Sequence, residues 1–168
     1  TADWGDGTVE EIPFDLFRQF PGEEAQPGAT GFLRGSHVYA DEGKYEVRLT
    51  VSDGEDSDEL SFVASVLNAA PALGEATEQS ASGGAAFTLG LPFRDLGLTD
   101  KHLALIDWGD GSEPQGIELD TVSGAGVIPL SHVYADEGAY KVVVQLADND
   151  GSGTESAFVV NVANVAPV

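Results

Sequence analysis

The groups in this sequence best suited to chemistry are acidic side chains placed in turns. Asp148-Asn149-Asp150-Gly151 sets carboxylate, amide and carboxylate oxygens ahead of a glycine that permits a sharp bend. Calcium suits such a stretch, because it takes about six to eight oxygen ligands from carboxylates, Asn and backbone carbonyls. The stretch is no EF-hand, since it lacks that loop's ligand spacing and terminal Glu. Asp41, Glu42, Asn68, Asp95 and Asp100 complete the candidate ligand set. The histidines are His37, His102 and His132. Ser36 is merely adjacent to His37, and adjacency does not make a triad. No HExxH, nucleophile elbow or phosphate loop is present. The chain is therefore expected to be non-catalytic.

Charge points the same way. The 168 residues carry 29 Asp and Glu against 7 Lys and Arg, a net charge of −22. Such a field repels nucleic acid and anionic membranes and attracts cations. An alternative is that these are solvated turn acids, as in a halophilic or simply acidic protein. There is no Cys, so disulfides and thiolate metal sites are excluded and the redox compartment stays open. A small extracellular domain without disulfides needs another staple, for which calcium is one candidate. No apolar run is long enough to cross a membrane, and the chain shows no signal peptide after Thr1.

These residues must be positioned by a scaffold, and the scaffold repeats. Asp3-Trp4-Gly5-Asp6-Gly7 returns as Asp107-Trp108-Gly109-Asp110-Gly111, and Ser36 to Gly43 returns unchanged as Ser131 to Gly138. Asn68-Ala69-Ala70-Pro71 returns as Asn164-Val165-Ala166-Pro167, so the unit recurs after roughly ninety-six residues. Two modules follow, 1–70 and 71–168. Tyr45, Val47, Leu49 and Val51 alternate with polar residues, as in a strand buried on one face, and Tyr140, Val142, Val144 and Leu146 repeat them. Val143 makes the opposite face less polar in the second copy. Phe62, Ala64 and Val66 are matched by Phe158, Val160 and Val162 in the last strand. Frequent Gly, Asp and Pro punctuation without helical period predicts an all-β sandwich. In the second copy further strands are expected around Leu73–Thr77, over Ala86–Leu91 and over Leu103–Trp108. The first copy has no equivalent of these early strands, so its sandwich is expected to be incomplete at the N-terminal side and to aggregate or recruit a strand.

The ordered motifs DWGDG, SHVYADEGxY and NxAP, each present twice, resemble the PKD (polycystic kidney disease) domain family, in particular the tandem repeats of large secreted or surface proteins of bacteria and archaea. The resemblance implies a seven-stranded immunoglobulin-like sandwich that acts as a spacer or interaction module. Independently of it, Trp4 and Trp108 read as core indoles, Tyr45 and Tyr140 as tyrosine-corner residues, and His37 and His132 as parts of the fold.

In such a sandwich the loop after the second strand and the loop before the last strand share the pole where the chain enters. For the second copy these are Asp95–Asp100 and Asp148–Gly151. Asp41, Glu42 and Asn68 are expected at the exit pole of the first copy. The seven candidate ligands are thus expected to gather at the module junction, where a calcium ion would offset their repulsion and stiffen the joint. The function implied is a structural repeat of an extracellular surface, matrix or filament protein. Its partners would be other copies, neighbouring repeats, or a cell-surface or matrix protein or polysaccharide; nucleic acid and membrane insertion are not expected. An alternative is a carbohydrate- or protein-binding accessory module of a secreted hydrolase. Phe14, Phe17 and Phe20 either present a contact surface for a neighbour or pack locally on the sandwich.

Overall fold

A computed structural model describes residues 1–16, 31–119 and 124–165. It divides into two compact units, Thr1–Leu67 and Asn68–Val168. The Asn68 side chain is bonded within the second unit, to Asp148 and Ser152.

The first unit contains β1 (Ala2–Asp3), β2 (Val9–Glu10), β3 (Phe14–Leu16), β4 (Gly31–Leu33), β5 (Gly43–Ser52) and β6 (Ser57–Val66). One antiparallel sheet runs β2-β1-β5-β6, and β3 pairs with β4. The β5–β6 hairpin turns where the Asp53 carboxylate accepts the backbone N–H groups of Glu55 and Asp56. Ala2, Trp4 and Val47 form a small buried core, joined by Ile12, Tyr39, Leu49 and Ala64.

The second unit contains β7 (Ala72–Leu73), β8 (Gln79–Ser82), β9 (Ala86–Arg94), β10 (His102–Asp107), β11 (Gln115–Leu119), β12 (Ala125–Val133), β13 (Gly138–Asp148) and β14 (Gly153–Ala163). Its sheets run β11-β10-β13-β14-β8 and β12-β9-β7. Every pairing is antiparallel except β8 on β14. The first edge of the chain thus serves both sheets, with β7 on one and β8 on the other, and the strand order is that of an immunoglobulin-like sandwich. Alternate residues of both inner faces fill the space between, among them Leu91, Phe93, Ile106, Ile128, Val142, Val144 and Val160, all buried. Each such side chain stabilises the fold by about 1.5–3 kcal/mol relative to exposure.

Two expected boundaries move. The strand expected around Leu73–Thr77 ends at Leu73, because Gly74 turns in against β9: its N–H bonds the Pro92 carbonyl at 2.7 Å, and a Cβ there would stand 2.7 Å from Pro92 Cγ. The strand expected over Ala86–Leu91 continues to Arg94, since Pro92 sits in register with Val127 without breaking the ladder. On the inner face of the first unit two side chains stand out against their counterparts: Val51 is 41% and Phe62 47% exposed, whereas Leu146 is 1% and Phe158 5% exposed. No described strand of the first unit plays the part of β9.

The repeated motifs build one device twice. Asp107 accepts the Gly109 N–H at 2.9 Å, and Asp110 accepts the Ser112 N–H at 3.0 Å. His132 stacks on Trp108, with ring centroids 4.7 Å apart and planes 9° apart, and donates from Nε2 to Asp110 at 2.7 Å. Tyr134 donates to the Trp108 carbonyl, and Tyr140 donates back to the Asp136 carbonyl at 3.1 Å, a tyrosine corner. The first unit repeats each contact with Asp3, Asp6, His37, Trp4, Tyr39, Tyr45 and Asp41. His37 and His132 thus join turn to strand.

Burial pushes the Asp110 carboxyl up, but the Ser112 hydroxyl, the His132 ring and the Ser112 N–H outweigh it and hold its pKa at about 2, below the usual 3.8. A lowered folded-state pKa contributes stability that is present above the unfolded value and lost as pH falls through the folded one. Asp110→Asn is therefore expected to melt at a lower temperature than the parent chain at pH 7, with the difference closing between about pH 4 and about pH 2. A constant difference across that window in thermal melts followed by circular dichroism would contradict this account of the turn.

Candidate metal centre

The Asp95–Asp100 loop leaves the end of β9 and returns as β10. The Asp95 N–H bonds the Gly124 carbonyl at 2.7 Å, which fixes the start of the loop against the segment leading into β12. Its carboxylate accepts the Gly97 N–H at 3.1 Å and His102 Nε2 at 2.8 Å, and both side chains of this pair are wholly buried. The His102 ring lies 5.0 Å from that of Phe93. Gly97 packs so closely on Asp100 that a Cβ would run into the Asp100 carboxylate. The loop is therefore wound around a side chain that is only 3% exposed.

The second loop follows β13. Asp148, its last residue, is also buried and accepts the N–H groups of Ser152 and Asp150 at 2.8 and 3.0 Å. Its other oxygen accepts Asn68 Nδ2 at 2.9 Å. Burial opposes ionisation of Asp148, but the Asn68 amide and the backbone N–H groups of Ser152, Asp150 and Gly151 prevail and hold its pKa below the usual carboxylate value. The loops are tied to each other where Lys101 N–H donates to Asn149 Oδ1 at 2.6 Å.

Within the second unit the fold thus gathers carboxylate oxygens of Asp95, Asp100 and Asp148 to within 4.8 Å of one another, all three residues buried. An Asp150 oxygen, on an exposed side chain, lies within 4.8 Å of one from Asp100. Asn68 Oδ1 is sealed from solvent and has no hydrogen-bond partner among the described residues, while its Nδ2 is spent on Asp148 and Ser152. Asp41 and Glu42 belong to the first unit, in the turn before β5, where the Asp41 carboxylate accepts the Glu42 N–H. Phe14 lies on β3; Phe17 and Phe20 fall outside the described residues.

Two unit charges 4.8 Å apart repel by about 3.5 kcal/mol at an effective dielectric of about 20, and closer ones by more. A cation among them converts that repulsion into binding. The donors are hard oxygens, the set that Ca²⁺, Mg²⁺ and Mn²⁺ prefer, and the buried carboxylates and Asn68 Oδ1 would supply about half of a calcium shell. Sequence reasoning missed His102, Gly97 and Ser152. The stretch that holds His102 has no counterpart in the first copy, so the repeat gives no signal for it.

No protein-family model and no curated protein sequence matches the chain. Among solved structures, the PKD domain of an M14-like peptidase from a Thermoplasmatales archaeon is similar at 18% identity and a TM-score of 0.42, covering 57% of this chain and 98% of its own. The PapD-like domain 7 of human CEP192 follows at 10% identity and a TM-score of 0.40, covering 59% and 89%. The FN1–FN3 domains of chicken CNTN1 match at 14% and a TM-score of 0.34, with 74% of this chain against 45% of that one. The immunoglobulin-like fold rests on the strand order itself.

Proposed function

We propose that the chain is a non-catalytic structural repeat of an extracellular surface, matrix or filament-forming protein, stiffened by calcium where the second unit begins. The observation that supports it most is the buried triad Asp95, Asp100 and Asp148 with the sealed Asn68 oxygen beside it. Asn68 directly follows the last residue of the first unit, so an ion held there would fix the point at which the chain passes into the second. The resemblance to PKD repeats supports the spacing role and the partners: neighbouring repeats, other copies, or matrix protein and polysaccharide. Titrating calcium into EDTA-stripped protein is expected to give a saturable heat that Asp100→Asn removes. Absence of heat up to millimolar calcium would overturn the calcium half of the reading.

A second feature favours completion of the first unit by strands from a neighbouring repeat or subunit. Val51, Leu60 and Phe62 lie exposed on the face that β9 covers in the second unit, and β6 forms an edge of its sheet whereas its counterpart β14 carries β8. A synthetic peptide spanning residues 72–94 is expected to slow amide exchange over Ser61–Val66. Unchanged exchange at saturating peptide would sink strand completion.

A further inference from the structure

Two of the three buried carboxylates in the second unit are held by protein donors. Asp95 accepts the Gly97 N–H on one oxygen and His102 Nε2 on the other, at 3.1 and 2.8 Å. Asp148 accepts the Asp150 and Ser152 N–H groups on Oδ1 and Asn68 Nδ2 on Oδ2. His102 links the two loops. It is the first residue of β10, where the ladder sets it opposite Asp148, and its side chain reaches Asp95. The imidazole is wholly buried beside Phe93, and its Nδ1 is sealed from solvent with no hydrogen-bond partner among the described residues. The bond to Asp95 is thus the ring's one polar contact there. An apolar side chain would fill the same space without leaving a buried nitrogen unpartnered, so packing alone does not account for a histidine here.

We propose that His102 is a positioning residue that makes this site selective for calcium over magnesium, an inference that rests on the calcium reading above. A carboxylate oxygen that accepts a single hydrogen bond keeps a lone pair for an ion. Both Asp95 oxygens and Asp148 Oδ2 are in that state, so they can ligate without giving up their donors. They cannot easily follow a smaller ion inward. Calcium takes oxygens at about 2.3–2.6 Å in irregular shells, whereas magnesium demands a near-ideal octahedron at about 2.0–2.1 Å and keeps several waters. Drawing Asp95 in by that difference stretches its bond to a ring fixed by the β10–β13 ladder and by Phe93. Burial of all three carboxylates also favours the ion that sheds its water more readily. Magnesium needs only one or two carboxylates, which Asp100 and the exposed Asp150 offer without Asp95. The lock on Asp95 therefore acts on calcium and not on its competitor.

Isothermal titration of the EDTA-stripped full chain, with calcium and separately with magnesium, reads the ratio of the two dissociation constants. The parent is expected to bind calcium about a hundredfold or more tightly than magnesium. His102→Phe keeps a buried ring beside Phe93 but donates nothing. It is expected to weaken calcium about tenfold or more and to leave magnesium within about threefold. His102→Leu removes the donor by a second route and should behave alike. His102→Gln, whose amide nitrogen can stand where Nε2 stands, should restore most of the preference. A histidine that served the fold alone would lower both affinities and the melting temperature in EDTA together, with the ratio kept. A parent that takes magnesium as tightly as calcium, or donor-free variants whose ratio equals the parent's, would overturn this inference and leave the calcium reading standing. A parent that gives no heat with calcium would remove that reading, and this inference with it.

Discussion

Saturating calcium is expected to raise the melting temperature of the second unit by roughly 10–20 °C, and Asp100→Asn to cancel the rise. An ion present at about one hundred times its dissociation constant stabilises the folded state by about 2.7 kcal/mol, and for a unit of about one hundred residues each kcal/mol moves the midpoint by about 4–8 °C. The variant carries a second, opposite expectation. Without calcium, Asp100 is one of three carboxylates buried within 4.8 Å of each other, so its neutral isostere relieves repulsion and should melt higher than the parent in EDTA. With calcium the order reverses, because the parent gains the ion and the variant does not. Differential scanning calorimetry of both chains in EDTA and in millimolar calcium reads this crossing directly. Solvated turn acids would give no crossing, only two small shifts of one sign. Glu137→Gln, an exposed acid in the turn before β13, serves as control and should leave the calcium response intact.

What was legible in the sequence follows a physical pattern. Tyr140, Val142, Val144 and Leu146 announced their strand because one face is buried and period-two alternation records that burial directly. Asp95, Asp100 and Asp148 could be grouped because sandwich connectivity sends the loops after the second strand and before the last to one pole. β8 left no such signal. Gln79-Ser80-Ala81-Ser82 is held by its parallel ladder to β14 and by the neighbouring Asn161–Glu78 hydrogen bond, neither of which needs apolar residues. The His132–Trp108 stack was equally hidden: both residues were visible as repeated motif members, but their contact spans two strands and the intervening loop. His102 escaped for a related reason. A buried imidazole that props a carboxylate has no local pattern, and its place beside Asp95 depends on how tightly the loop closes around Asp100.

Gly109→Ala is expected to be among the most damaging single substitutions in the second unit, and Gly111→Ala a mild one, although both glycines sit in the same five-residue motif. Both have positive φ, +75° at Gly109 and +85° at Gly111, so alanine costs about 1–2 kcal/mol at either position. Their surroundings differ. A Cβ on Gly111 meets nothing within 4 Å, whereas one on Gly109 would run into the backbone carbonyl of Lys141 on β13. Backbone cannot swing aside as a side chain would. Relief requires either parting the end of β10 from β13 or breaking the Asp107–Gly109 hydrogen bond that shapes the turn, at an overpacking cost of about 1–3 kcal/mol more. At about 4–8 °C per kcal/mol the midpoint should fall by roughly 10–40 °C for Gly109→Ala and by roughly 5–15 °C for Gly111→Ala. Tryptophan fluorescence in thermal melts of chains that also carry Trp4→Phe, leaving Trp108 as the single indole, is the direct readout, since that indole packs beside the turn. The first unit supplies an internal repetition, because a Cβ on Gly5 would meet the Glu46 carbonyl at 2.6 Å in the matching place. Equal losses at Gly109 and Gly111 would mean that φ alone explains the motif. Unequal losses would show that its first glycine is there to let one strand pass close beside the next.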